Sequence, residues 1–291
     1  MVAMLYKTNI FAIVGSEKNE NYKQNQVLIW DDLSGQILYN IELNNNVLNL
    51  KLRRDLLFIV CEKKIYVLDI KNGCDMSLTI DTGSNPNGLI AINYNEENAI
   101  IAYPSCESDQ KKGDLTIKNL NNNEVKYLFP HEHKISYIAL SYDGLLLATA
   151  SEEGKKIRIY ETENLVKVKE FYRGKEKAEI KCISLDFRNQ FLAASSERGT
   201  IHIWKLKNKE DDENKISNTG SMFSGLPRFL GGGLFQNEWS FAQVRLEEPY
   251  SIFHFGSENS LIIITTSGKY YKANIDLQKG GDCIISEECS L

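Results

Sequence analysis

One arginine in this chain follows an aromatic pair and precedes a glycine, in Phe171-Tyr172-Arg173-Gly174. About 25 residues later comes Ser195-Ser196-Glu197-Arg198-Gly199-Thr200-Ile201-His202. A guanidinium supplies fixed, always-charged donors in a planar fork that matches phosphate oxygens. Ser196, Thr200 and His202 add hydroxyl and imidazole hydrogen bonds, with Ser195 or Arg198 as further neighbours. That chemistry suits the capture of a phosphate-like anion. It does not suit bond breaking, because no nucleophile–base pair, carboxylate pair or metal set emerges from the spacing. His131-Glu132-His133 offers two imidazoles but no third ligand nearby, and reads as an exposed loop. Gly231-Gly232-Gly233 is not a phosphate loop, since no Gly-Lys-Ser/Thr follows it.

These side chains meet only if short neighbouring strands bring them together, and the chain is rich in such strands. Apolar or alternating runs recur at Ile10–Val14, Val27–Trp30, Leu56–Val60, Ile65–Ile70, Leu145–Ala150, Ile157–Tyr160, Phe191–Ser195, Ile201–Leu206 and Leu261–Thr266. Ser34-Gly35, Asn72-Gly73, Asp143-Gly144, Glu153-Gly154, Arg198-Gly199 and Ser267-Gly268 punctuate them as turns. No long stretch carries a helical period. The runs repeat as a group of four strands, in units beginning near Met4, Val47, Gly88, Ile135, Ile180 and Ser251. A four-stranded unit at a period of about 45 residues predicts an all-β, WD40-type β-propeller with about six recognisable blades.

The last step of the repeat is longer because of an insertion at about 207–238. It opens polar and acidic, then places Phe223, Leu226, Phe229 and Leu230 at roughly helical spacing, with Leu234 and Phe235 beyond the glycines. A long loop of this kind in a compact domain is usually either functional or disordered.

Composition narrows the function further. A formal charge of −5 and a pI near 5.6 argue against a nucleic-acid partner. Six cysteines, none in a CxxC pair, read as free thiols in a reducing compartment. No apolar run approaches the roughly 20 residues of a membrane span. The first residues, Met1 to Val14, lack a signal peptide's order. The expectation is a cytoplasmic protein without a cofactor that is free to associate with a membrane surface.

Several motifs together resemble a known family. They are Val27-Leu28-Ile29-Trp30-Asp31-Asp32, Leu52-Arg53-Arg54-Asp55, Asn85-Pro86-Asn87-Gly88-Leu89 and Ile157-Arg158, followed by Phe171–Gly174, Ala178–Ser184 and Ser195–His202. The chain resembles, nearly end to end, the PROPPINs, seven-bladed phosphoinositide-binding propellers that include the WIPI proteins of autophagy. The resemblance implies one propeller domain over 1–291, with the N-terminal blade, about 40–50 residues, not represented. It implies no enzyme activity. It implies binding of phosphatidylinositol 3-phosphate and the 3,5-bisphosphate, and recruitment of autophagy or membrane-remodelling partners such as a bridge-like lipid-transfer protein. The membranes implied are of autophagosomal, endosomal or vacuolar type.

In the family signature, Phe/Leu-Arg-Arg-Gly, the two arginines serve two headgroup pockets. Here Arg173 keeps one pocket, with Ser196, Thr200 and His202. The other is expected to be weakened, because Tyr172 replaces its arginine. It retains His131, Thr149 and Ser151, with Lys155 or Lys156 near the position of a family Gly-Thr. The insertion falls where the family carries its membrane-inserting loop, which assigns Phe223, Leu226, Phe229, Leu230, Leu234 and Phe235 to the bilayer. The competing expectation is a protein-only WD40 scaffold adaptor with lost or weakened lipid binding, and Tyr172 favours it.

Overall fold

The computed structural model describes residues 1–16, 22–106, 114–206, 239–248, 251–257 and 259–290. Their order follows the repeat. The first sheet is β1 (Val2–Met4), β2 (Ile10–Val14), β3 (Gln26–Asp31) and β4 (Gln36–Glu42). The second is β5 (Asn49–Leu52), β6 (Leu56–Val60), β7 (Lys64–Asp69) and β8 (Asp75–Asp81). The third is β9 (Ala91–Ile92), β10 (Ile100–Pro104), β11 (Leu115–Asn119) and β12 (Val125–Leu128). The fourth is β13 (Ile135–Leu140), β14 (Leu146–Ser151), β15 (Lys156–Glu161) and β16 (Lys167–Tyr172). The fifth is β17 (Ile180–Leu185), β18 (Phe191–Ser196), β19 (Thr200–Lys205) and β20 (Ala242–Arg245). The sixth is β21 (Ser251–Phe255), β22 (Ser260–Thr265) and β23 (Lys269–Asn274), closed by β25 (Ile284–Ser290). A two-residue strand, β24 (Gly281–Asp282), leaves the sixth sheet's connection and pairs parallel with β20 as a fifth strand of the fifth sheet.

Among the described residues, six sheets of four successive strands, the fifth extended by β24, are the blades of a WD40-type β-propeller. The repeat read from the sequence holds for all six. Its outer strands, such as β4, β8 and β25, carried little signal because their residues are mostly exposed. The chain divides between Gly144 and Leu145 into two compact units.

In the first unit, β6 explains why some strands read as continuous apolar runs. Leu57 and Ile59 face a core shared with Ala12, Val14, Val27 and Ile29. The alternating Phe58 and Val60 face a second core with Ile90, Ile92, Ile101 and Tyr103. A strand buried on both faces loses its polar alternation. Arg53 lies in the turn between β5 and β6 and is buried. Its Nε and Nη2 donate to the two oxygens of Asp55 at 2.5 and 2.6 Å. This fork-to-fork pair lets a charged group occupy the interior.

The second unit buries all of β14 and β18, which mix large apolar with small residues. Phe171 and Trp204 are fully buried and stacked, with ring centroids 5.5 Å apart. Ser195 Oγ donates to Ser251 O at 3.2 Å, and Cys182 Sγ lies 3.5 Å from Phe253 O, so polar contacts join the fifth and sixth sheets.

Candidate functional site: the Arg173 corner

Arg173 follows directly on β16, and its side chain turns inward. It is 8% exposed. Its backbone N–H donates to Lys155 O at 2.8 Å and its Nε to Gly154 O at 2.6 Å. Nη2 donates to the carbonyl of Glu176. The guanidinium therefore ties the β14–β15 turn to the loop that follows β16, and these bonds use part of its donor set. Burial, then repulsion from Arg198, lowers the basicity of Arg173 below the usual arginine range.

Gly154 makes this clamp possible. Its φ is +58°, and a Cβ there would stand 1.7 Å from the carbonyl oxygen of Ala178. Only glycine combines that backbone with so close an approach. The same turn is closed by Gly154 N–H to Ser151 O at 2.8 Å and by Ala178 N–H to Glu153 O at 3.3 Å. Gly174, the glycine of the signature, has open space around it.

His202 reaches the corner from β19. Its ring leans on Trp204 at 5.7 Å, and its Nδ1 lies 3.1 Å from Ser240 Oγ. Burial pushes its pKa down to about 4, assisted by the positive charges of Arg173 and Arg245. The imidazole is thus neutral at pH 7 and carries one donor and one acceptor nitrogen. The field of Arg173 at His202 puts these two predicted ligands within electrostatic reach of each other. Thr200 opens β19 opposite Arg245, and Ser196 closes β18, where its hydroxyl accepts from Arg198 N–H at 3.5 Å. Arg173, Ser196, Thr200 and His202 all lie in the second unit, at the β16 end and the β18–β19 hairpin. The spacing did not single out Gly154, Glu176, Ser240 or Arg245. Of these, only Gly154 carried a sequence signal, as a turn glycine.

The predicted second pocket is distributed differently. Thr149 and Ser151 are buried on β14, and Thr149 Oγ1 donates to Arg158 O at 3.3 Å. Tyr172 lies across from Lys156 and packs edge-on against Trp239 at 5.4 Å. These three belong to the second unit, whereas His131 belongs to the first. Lys155 pairs with Glu153 at 3.1 Å, and Lys156 pairs with Glu170 at 2.6 Å. Arg158 and Lys167 also hold Glu170, at 2.8 and 3.1 Å. Burial opposes the charge on Glu170, but the three hydrogen-bonded cations outweigh it and bring its pKa to about 2. This carboxylate keeps part of the local positive charge engaged.

The insertion at 207–238, with Phe223, Leu226, Phe229, Leu230, Leu234 and Phe235, lies outside the described residues. Among the described residues no helix is long and apolar enough to cross a membrane, and no group of three His, Cys, Asp or Glu is placed to hold a metal ion.

Comparison with known proteins decides the family. The PROPPIN family model matches residues 1–291. The chain belongs to the PROPPIN family. Among curated PROPPIN relatives, autophagy-related protein 18e of Arabidopsis thaliana is 32% identical over 286 residues, covering 98% of this chain and 74% of the relative. The human WD repeat domain phosphoinositide-interacting protein 1 is 27% identical over 306 residues, covering 100% of this chain and 67% of the relative. Solved structures agree on the PROPPIN fold. Kluyveromyces lactis Hsv2 aligns with a TM-score of 0.78 at 20% identity, over 99% of this chain and 86% of that one. KlAtg21, solved with the coiled-coil of AgAtg16, aligns with a TM-score of 0.80 at 21% identity, over 100% and 84%.

Proposed function

We propose that this PROPPIN is a non-enzymatic effector that binds phosphatidylinositol 3-phosphate, and the 3,5-bisphosphate, at the Arg173 corner. The observation that carries the reading is Arg173 acting on a neutral, half-buried His202, with Thr200 and Ser196 on the adjoining hairpin. An entering phosphate is held by the remaining guanidinium donors, by the hydroxyls and by the imidazole. Membership of a family whose human relative is named phosphoinositide-interacting supports the same ligand class. In this reading residues 1–291 act as one propeller domain, and Phe223, Leu226, Phe229, Leu230, Leu234 and Phe235 enter the bilayer beside the headgroup. Burying one such side chain contributes roughly 1.5–3 kcal/mol, so two or three anchor the protein together with a weak headgroup contact. The protein is cytoplasmic and peripheral on autophagosomal, endosomal or vacuolar-type membranes. There it recruits autophagy partners, among them a bridge-like lipid-transfer protein.

Co-flotation with vesicles containing phosphatidylinositol 3-phosphate tests this. Arg173→Ala is expected to lower binding at least tenfold, and Arg173→Lys to restore only part of it, because a point charge does not replace the fork. A folded wild-type protein that does not float with such vesicles overturns the lipid reading. The alternative, a protein-only scaffold, is favoured by one observation: Tyr172 packs on Trp239 and brings no charge to the second pocket.

A further inference from the structure

Glu176 touches both arginines of the corner. Its carbonyl oxygen accepts from Arg173 Nη2, and its carboxylate accepts from Arg198 Nη2. Burial lowers the basicity of Arg173 most, repulsion from Arg198 adds to it, and the Glu176 carboxylate offsets part of that repulsion. Its carboxylate occupies the kind of donor an incoming anion needs. The Glu176 and Arg198 side chains are 72% and 50% exposed, so the pair opens readily and is screened by salt.

We propose that Glu176 is a built-in competitor that determines which anions the Arg173 corner admits; the inference rests on the phosphoinositide reading above. An arriving group gains the Nη2 donor of Arg198 only by displacing a carboxylate. A phosphomonoester brings nearly two charges and three strong acceptor oxygens, and it wins that exchange. The phosphodiester of an ordinary acidic lipid brings one charge, no more than the carboxylate it replaces. Glu176 thereby holds back bulk anionic lipid and passes headgroups that carry a phosphomonoester. Because the carbonyl contact to Arg173 comes from the backbone, a side-chain change at 176 leaves the clamp in place.

The test uses the full chain and two vesicle compositions matched in surface charge, one with phosphatidylserine alone and one with phosphatidylinositol 3-phosphate. Glu176→Gln is expected to raise phosphatidylserine binding about threefold at low salt, within the range set by exposed ion pairs, and to raise 3-phosphate binding less. Selectivity therefore falls. Glu179→Gln removes an equal charge from a residue paired with Lys181 at 2.7 Å and is expected to leave selectivity unchanged. In an Arg198→Gln background, Glu176→Gln is expected to have no further effect. If Glu176→Gln raises binding to both lipids equally, or no more than Glu179→Gln does, the competitor role fails and the lipid reading stands. If neither the folded wild type nor Glu176→Gln binds 3-phosphate vesicles, both fall.

Discussion

At the scale of single residues, the charge state of His202 links the corner to pH. Its folded pKa of about 4 lies below the ordinary value of 6.5. The unfolded chain therefore binds this proton more readily than the folded one between those two values. Stability should fall as pH drops from about 6.5 toward 4, and this contribution should level off below 4. The pH-dependent part of the difference from His202→Gln, which cannot titrate, should reach on the order of 2 kcal/mol by pH 4.5 and vanish at pH 7.5. Urea midpoints of both proteins across that range measure it, and parallel curves would remove His202 from the account. The same proton bears on binding. A bound phosphate favours the imidazolium, but the phosphomonoester loses its second charge near pH 6, so the two titrations oppose each other in headgroup affinity on acidification. The sequence singled out Arg173, Ser196, Thr200 and His202 by residue type and spacing. It did not show that Arg173 spends Nε and Nη2 on carbonyl oxygens, because backbone acceptors look alike in every sequence.

At the scale of elements, the β14–β15 turn holds the corner in shape. Gly154→Ala forces a methyl group to within 1.7 Å of Ala178 O on a positive-φ backbone. It should cost about 2–4 kcal/mol and weaken vesicle binding with it, since Gly154 O is the acceptor for Arg173 Nε. Gly174→Ala meets open space and should change stability by no more than about 0.5 kcal/mol. Denaturant midpoints of the two variants decide the ranking. Gly174 belongs to the family signature, whereas the chain's own geometry puts the strict glycine requirement at Gly154. Strand positions were legible where both faces are buried, as at β6, β14 and β18. They were obscure on outer strands such as β4, where Ile37, Leu38 and Tyr39 are all exposed and alternation gives no guide.

At the scale of the whole molecule, the repeat was the clearest statement in the sequence, because each blade restates the same alternation and turn. Deleting 219–236 should leave the fold intact, since the deletion lies outside every described strand, and should reduce vesicle binding at least tenfold if those apolar residues anchor the protein. Soluble headgroup affinity, followed by titration calorimetry, should be unchanged. Equal losses in both assays would place the insertion in the pocket instead of the bilayer. The short parallel strand β24 has a consequence for how this insertion is tolerated. β20 is four residues long and returns to the sheet after the insertion. A strand that short, on the edge of a sheet, frays easily. Here its other side is bonded by Gly281 N–H to Phe241 O at 3.0 Å and by Cys283 N–H to Gln243 O at 2.8 Å. The last blade's own connection thus acts as a latch on β20. Loosening the strand behind the insertion requires lifting a piece of the next blade, so the two blades share one opening event.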